Sequence, residues 1–228
     1  MIKRKNKLVI MSMLLLNLMN TYPQALLISI SVNAVGNPIL VDKSIKEITS
    51  FININVEIPQ VVSLSDKNAE KVINNEILNW TNMWIKDTKD VSNEFKPNIP
   101  YELKANYALT NDEKVLSFYI DYYQFSGGAH GITTRKTYNI DINSGKKIEL
   151  KNLFNKGYDY KKFINEEIQK QINKSPDDYF MGKDGFNGIK ENQSFYIKNN
   201  KLIIHFPYYE IAPYAFGMPE FEIPYTVK

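Results

Sequence analysis

Residues 51–58 alternate without a fault, with Ile52, Ile54, Val56 and Ile58 on one side and Asn53, Asn55 and Glu57 on the other. A period of two over eight residues makes a strand with one face buried and one face wet, which commits the chain to a sheet with something packed on one side. Pro59 is expected to end that strand. The covering element is expected next, as a helix over 66–86. Ala69, Val72, Ile73, Ile77, Trp80, Met83 and Trp84 share one wide arc at 100° per residue, and Ser65 is placed to cap its start. Trp80 and Trp84 lie on that arc and read as core rather than as a ligand platform.

The pattern dissolves into a loop over 91–100 and then returns to a period of two. Leu103, Ala105, Tyr107 and Leu109 alternate in one strand and Leu116, Phe118, Ile120 and Tyr122 in the next. Tyr138, Ile140 and Ile142 share a face of a third strand over 132–142. Asn111 and Asp112 supply turn residues for the first hairpin, and Asn143, Ser144 and Gly145 for a turn after the third strand. An antiparallel meander follows from these signals. A second helix is expected over 158–173, with Tyr160, Ile164, Ile168 and Ile172 in line. A loop over 175–188 leads to a hairpin turning at Asn199 and Asn200 and to a last strand over 221–227, which Pro224 marks as an edge. The expected fold class is α+β, in two lobes whose antiparallel sheets each carry a packed helix.

The amino terminus reads differently. Lys3, Arg4, Lys5 and Lys7 precede an apolar run from Leu8, and Val32, Asn33 and Ala34 close it with small residues where a signal peptidase reads. Residues 1–34 are expected to be a signal peptide cleaved after Ala34; the alternative is an uncleaved anchor, since the apolar stretch is long enough to span a bilayer. Either way the rest of the chain is expected outside the cytoplasm, extracellular or associated with the cell envelope. The formal charge of +3 falls to −1 once the four leader cations are removed, because residues 1–34 hold no acid. The remaining 194 residues are near neutral, which argues against a nucleic-acid partner. With no cysteine in the chain, its stability rests on hydrophobic burial, and 194 residues are ample for that.

Two segments stand out chemically. Ser126, Gly127, Gly128, Ala129, His130 and Gly131 join two long strands, and three glycines in six residues call for unusual backbone angles or close approach of another chain. Residues 206–217 hold Phe206, Pro207, Tyr208, Tyr209, Tyr214 and Phe216 with no regular period. Prolines limit the entropy lost on binding, and tyrosine is favoured at contact surfaces. Phe206 and Phe216 are expected at the core edge, while Tyr208 and Tyr209 suit either core edge or contact.

The only histidines are His130 and His205, so any histidine-based triad or zinc centre would have to use them. No nucleophile elbow surrounds Ser126, and His130 reads as a hydrogen-bonding loop residue. His205 falls on the strand face opposite Leu202, Ile204 and Phe206. Asp177, Asp178 and Asp184 lack the calcium-loop spacing. No metal and no cofactor are expected.

The motif S-G-G-A-H-G at 126–131, then Asn139-Ile140-Asp141, Ser144-Gly145-Lys146, the 150–154 segment and P-Y-Y-E-I-A-P-Y-A-F-G at 207–217 together resemble the PdaC/RsiV-like extracytoplasmic domains. On that resemblance, residues 35–146 are similar to the lobe that precedes a peptidoglycan deacetylase domain, and residues 147–228 to the lobe shared with a lysozyme-sensing anti-sigma factor. The metal-dependent catalytic domain of the deacetylases is not expected in this chain. Seven residues ahead of the apolar run are too few to hold a sigma factor. What the resemblance implies is an ectodomain that binds lysozyme. Ser126 matches the contact position in the glycine-rich loop, and Pro207 and Tyr209 match those in the aromatic loop.

The expectation is therefore a non-enzymatic binding module contacting its ligand through Ser126, Gly127, Gly128, His130, Pro207, Tyr208, Tyr209 and Tyr214. The ligand would be a lysozyme-like extracellular protein or peptidoglycan, and a membrane would be met only through an uncleaved N-terminal segment. The alternative is a cell-wall hydrolase working through His130 or a carboxylate pair with no local signature. A buried acid with a raised pKa beside His130 would favour that alternative.

Overall fold

The computed structural model describes residues 27–31 and 40–226. Six strands form the first sheet in chain order: β1 (Leu27–Ser31), β2 (Leu40–Ile48), β3 (Ile52–Val61), β4 (Tyr101–Asp112), β5 (Val115–Phe125) and β6 (Ile132–Asp141). Helix α1 (Lys67–Phe95) crosses from β3 to β4, and α2 (Tyr160–Ile172) precedes a second sheet of β7 (Phe195–Lys198), β8 (Lys201–His205) and β9 (Glu220–Thr226). The α+β class with two sheets and a helix packed on each is as expected. One pairing departs from the antiparallel rule: β3 and β4 run parallel, Ile54 opposite Leu103. Helix α1 carries the chain back along the sheet, so β4 starts at the end where β3 started.

Strand β1 falls inside the stretch expected to be a leader and pairs antiparallel with β2, Leu27 opposite Lys46. The rest of that expected leader lies outside the described residues. Among the described residues no helix is long and apolar enough to cross a membrane.

The first core is built from the inward-facing apolar residues of the strands against α1. Ile54, Val56, Ile58, Phe118, Ile120, Tyr122 and Ile140 meet Ile73 and Ile77 there. Strand β3 continues through Pro59 to Val61 instead of stopping. The β4 pairing ends at Val56, so Pro59 has a partner strand on one side only, the edge setting that proline tolerates. Asn74 of α1 accepts from the Val61 amide and donates to its carbonyl, both at 2.8 Å, and so ties the strand end to the helix.

Helix α1 differs from the expectation at both ends. Its cap is Asp66, not Ser65: the carboxylate accepts from the Asn68 and Ala69 amides at 2.9 and 3.0 Å. Its far end reaches Phe95, so the first half of the expected 91–100 loop is helical, down to a left-handed Lys96. From Thr81 onward the helix buries the hydroxyls of Thr81, Thr88 and Ser92 where the first turns bury isoleucines. Thr81 and Thr88 donate to the carbonyls four residues back, and Thr81 also meets the Tyr122 hydroxyl at 2.8 Å. Trp80 and Trp84 pack on the core as expected, whereas Val72 and Met83 face outward. The first hairpin also shifts: Asn111 and Asp112 belong to β4, and Asn111 is buried, donating to the Val115 carbonyl at 2.7 Å.

The second core gathers Ile164, Ile168 and Ile172 of α2 with Ile197, Leu202, Ile204, Phe206 and Phe221. Asn199 and Asn200 both take positive φ (48° and 63°) at the β7–β8 turn, as expected. Strand β9 is an edge, and its register shifts where Pro224 falls.

The two sheets meet through buried polar groups. Ser117 on β5 accepts from the Ile197 amide and donates to Asn139, whose side-chain amide donates to the Phe195 carbonyl. Nearby, Arg135 on β6 grips Asp121 through two nitrogens at 2.7 Å, lies 3.6 Å over the Tyr119 ring and reaches Glu220 on β9. Tyr196 on β7 donates to the same Glu220 at 2.9 Å. The Arg135 charge is thus paired with a carboxylate in its own sheet and another in the second sheet, the condition under which a buried charge is tolerated.

Candidate functional site

The glycine-rich loop is the tip of the β5–β6 hairpin. Gly127 and Gly128 take φ of +94° and +90°, a region that side chains strain against. Gly131 is required for another reason: a Cβ there would sit 2.5 Å from the Gln124 carbonyl oxygen and from the Tyr123 ring. Ser126, Gly127, Gly128, Ala129 and His130 are all exposed. The chain there is short-tethered to two long strands and open to solvent.

The aromatic loop joins β8 to β9. Phe206 anchors it from the core, its amide donating to the Pro219 carbonyl at 2.9 Å. The chain then turns through Pro207, Tyr208 and Tyr209, and a short 3-10 turn from Tyr214 to Phe216 ends at Gly217. Tyr209 holds φ at +64°, a left-handed conformation that costs a tyrosine about 1–2 kcal/mol. Such backbone strain concentrates at ligand clamps and switch regions. Phe216 departs from the core-edge expectation. It is 40% exposed and leans on Tyr179, 5.0 Å away, because the 3-10 turn ahead of Gly217 lifts it off the second core.

The two loops meet. The His130 ring stacks on Tyr214 at 3.9 Å and 18°. Tyr208 and Tyr209 stack on Tyr214 at 4.8 and 5.7 Å, within 30° of parallel. The Tyr214 hydroxyl donates to the Gly131 carbonyl at 3.0 Å, and His130 Nδ1 lies 3.0 Å from the same oxygen. Tyr214 is thus the hub of a four-ring ladder, and partial desolvation, followed by the neighbouring tyrosine phenols, pushes its phenol pKa above the ordinary value. Of the eight candidate residues, His130, Tyr208 and Tyr209 each contact Tyr214. Ser126, Gly127 and Gly128 form the rim beside them, and Pro207 is exposed at the start of the aromatic turn. Sequence reading missed Tyr179, which reaches the same surface from the 175–188 loop and supports Phe216; one aromatic in a polar loop gives no signal.

Where carboxyl pKa values are displaced, at Asp141 and Glu191, they are lowered, by hydrogen bonds from Ser144 and from Lys161. Asp141 ends the β6 strand that begins beside the glycine loop, and Glu191 lies against α2. The second histidine is remote from this chemistry. His205 is 1% exposed, both ring nitrogens lack a partner, and burial together with the Arg135 charge lowers its pKa to about 4. Among the described residues no group of three or more histidine or acidic side chains is placed to hold a metal.

A two-sheet α+β chain with an aromatic face at the sheet junction is the class that fold and site define. Residues 45–133 match the family model described as deacetylase PdaC, and residues 151–226 match a protein family of unknown function, DUF3298. The chain is a PdaC/RsiV-like domain protein. It is 31% identical over 135 residues to the peptidoglycan-N-acetylmuramic acid deacetylase PdaC of Bacillus subtilis, covering 56% of this chain and 28% of that one. It is 27% identical over 194 residues to the anti-sigma-V factor RsiV of the same organism, covering 79% of this chain and 65% of that one. The chain therefore spans less than two thirds of the length of either relative. Crystal structures of DUF3298 proteins share the fold. One from Bacteroides fragilis has a TM-score of 0.58 at 18% identity, over 89% of this chain and 91% of that one. One from Pseudomonas aeruginosa has a TM-score of 0.54 at 13% identity, over 89% and 92%. These matches fit an extracytoplasmic, envelope-associated module.

Proposed function

We propose that this chain is an exported, non-enzymatic binding module that engages a lysozyme-like protein through the His130–Tyr214–Tyr208–Tyr209 ladder and its rim at Ser126, Gly127, Gly128 and Pro207. The observation that carries the reading is the exposed Tyr209, 49% accessible and held in a strained backbone at the end of a stack. Aromatic rings fixed in advance lose little entropy on contact and present a large amphipathic area, which suits protein recognition. The likeness to an anti-sigma factor whose contact positions correspond to Ser126, Pro207 and Tyr209 supports the same face. Cell-wall glycan is the second ligand that flat rings suit. The carboxyls whose pKa is displaced, Asp141 and Glu191, are lowered rather than raised, which lends the hydrolase alternative no support.

Calorimetric titration of the purified protein with a c-type lysozyme tests the reading, with Tyr209→Ala as the control. Saturable binding that the substitution weakens at least about tenfold is expected, since loss of one central ring contact costs on the order of 1–2 kcal/mol or more. Absence of heat at high micromolar concentration would exclude lysozyme and leave glycan to be titrated next.

A further inference from the structure

The second lobe bears another aromatic surface, near the far end of β9 from the ladder. Phe154 sits at its centre, with ring centroids 4.5 Å from Tyr225, 5.5 Å from Tyr160 and 5.8 Å from Tyr158. Tyr158 is 50% exposed at the end of a turn through Gly157, and Tyr225 is fixed by donating to the Leu153 carbonyl. Two cavities flank this cluster. One, of about 240 Å³, lies among Phe154, Tyr158, Phe163 and Tyr225. The other, of about 360 Å³, lies on the Tyr160 side and reaches Lys151, Asn152 and Lys156. They share Phe154, Asn155 and Tyr158, so they form one groove divided by two rings.

The rim decides what such a groove can hold. Of the two lysines that line it, Lys151 is paired with Glu149 at 2.6 Å and Lys156 stands alone among the described residues; Lys161 nearby on α2 is paired with Glu191. The surface therefore lacks the cluster of unpaired cations that an anionic membrane requires. What it offers instead are flat apolar faces edged by side-chain amides and phenol hydroxyls. A pyranose ring has the matching chemistry: a C–H face that lies on an aromatic plane and hydroxyls at its edge that pair with amides. Two contiguous cavities separated by ring walls suit adjacent sugar units.

We infer that this groove is a saccharide site, taking a neutral pyranose oligosaccharide that stacks on Tyr158 and Phe154 with its hydroxyls on Asn155 and Asn152. It is separate from the ladder and does not rest on the lysozyme reading. About 17 Å of strand divides Glu220, at the ladder end of β9, from Tyr225. A chain with both surfaces would hold a polysaccharide with one and a protein with the other.

The test is a nuclear magnetic resonance titration of the purified protein with chitotetraose, a neutral oligosaccharide. Saturable shifts are expected in the amides of residues 153–160 and not in those of 207–217. Tyr158→Ala and Asn155→Ala should each weaken the response about tenfold, equivalent to 1.4 kcal/mol. Both substituted residues are exposed, and a thermal melt checks that the variants are folded. Silence at millimolar chitotetraose, shifts confined to the ladder, or undiminished binding by folded Tyr158→Ala would each overturn the proposal. So would binding of the same groove to phosphatidylglycerol vesicles without any response to saccharide.

Discussion

His130 and Tyr214 lie face to face at 3.9 Å although 84 positions apart, one on the tip of the first sheet and the other in the second lobe. The contact makes the ladder a joint between lobes as well as a surface. Tyr214→Phe keeps the stack and removes the bond to Gly131, so unfolding free energy should fall by about 0.5–1.5 kcal/mol with ligand binding retained. Tyr214→Ala removes the hub that Tyr208, Tyr209 and His130 share, and binding should be lost along with it. Denaturant melts and titrations of the two variants separate these effects.

Tyr209 should show the opposite relation between stability and function. Glycine adopts φ of +64° freely, so Tyr209→Gly relieves strain and should match or exceed the parent in melting temperature, by up to about 1 kcal/mol. Lysozyme binding should be weakened by the same change. A variant that melts well below the parent would show that the ring is a structural element and not a contact.

His205 should give the protein an acid-sensitive component. Its folded pKa of about 4 lies below the ordinary 6.5, so the unfolded chain binds the proton more readily. Stability from this group is intact above pH 6.5, falls as pH drops from 6.5 towards 4, and levels off below that. The full loss is roughly 3 kcal/mol. Replacing it by leucine should flatten that window, and denaturation curves at pH 7, 5.5 and 4 measure it.

The glycines of the first loop should separate into two kinds. Gly131→Ala places a Cβ 2.5 Å from backbone and from the Tyr123 ring, so it should cost about 2–3 kcal/mol and displace the carbonyl that Tyr214 uses. Gly128→Ala meets no atom within 4 Å and should cost only its conformational strain, about 1 kcal/mol. Urea unfolding of both variants gives the comparison directly.

How much of this could be read from the chain follows from where apolar residues alternate. Strands β3 to β6 were legible because their buried positions are aliphatic or aromatic. Strand β2 was not, since its inward residues Val41 and Ile45 are separated by Lys43. The last turns of α1 were hidden for a related reason: Thr88 and Ser92 fill the buried face there, and hydroxyls read as loop until their backbone acceptors are known. The candidate surface was legible residue by residue, from glycine density and tyrosine content. Its assembly was not, because nothing local in the sequence pairs position 130 with position 214. The lobe junction of Arg135, Asp121 and Glu220 was equally silent, since a lone arginine in a strand reads as solvent-facing.

The ladder also bears on descent. His130 falls in the stretch matched as PdaC and Tyr214 in the stretch matched as DUF3298. Neither matched stretch alone holds the stack, so it exists only where both are present in one chain. A recombination that trades one stretch for a homologue must bring a compatible ring with it to keep the contact.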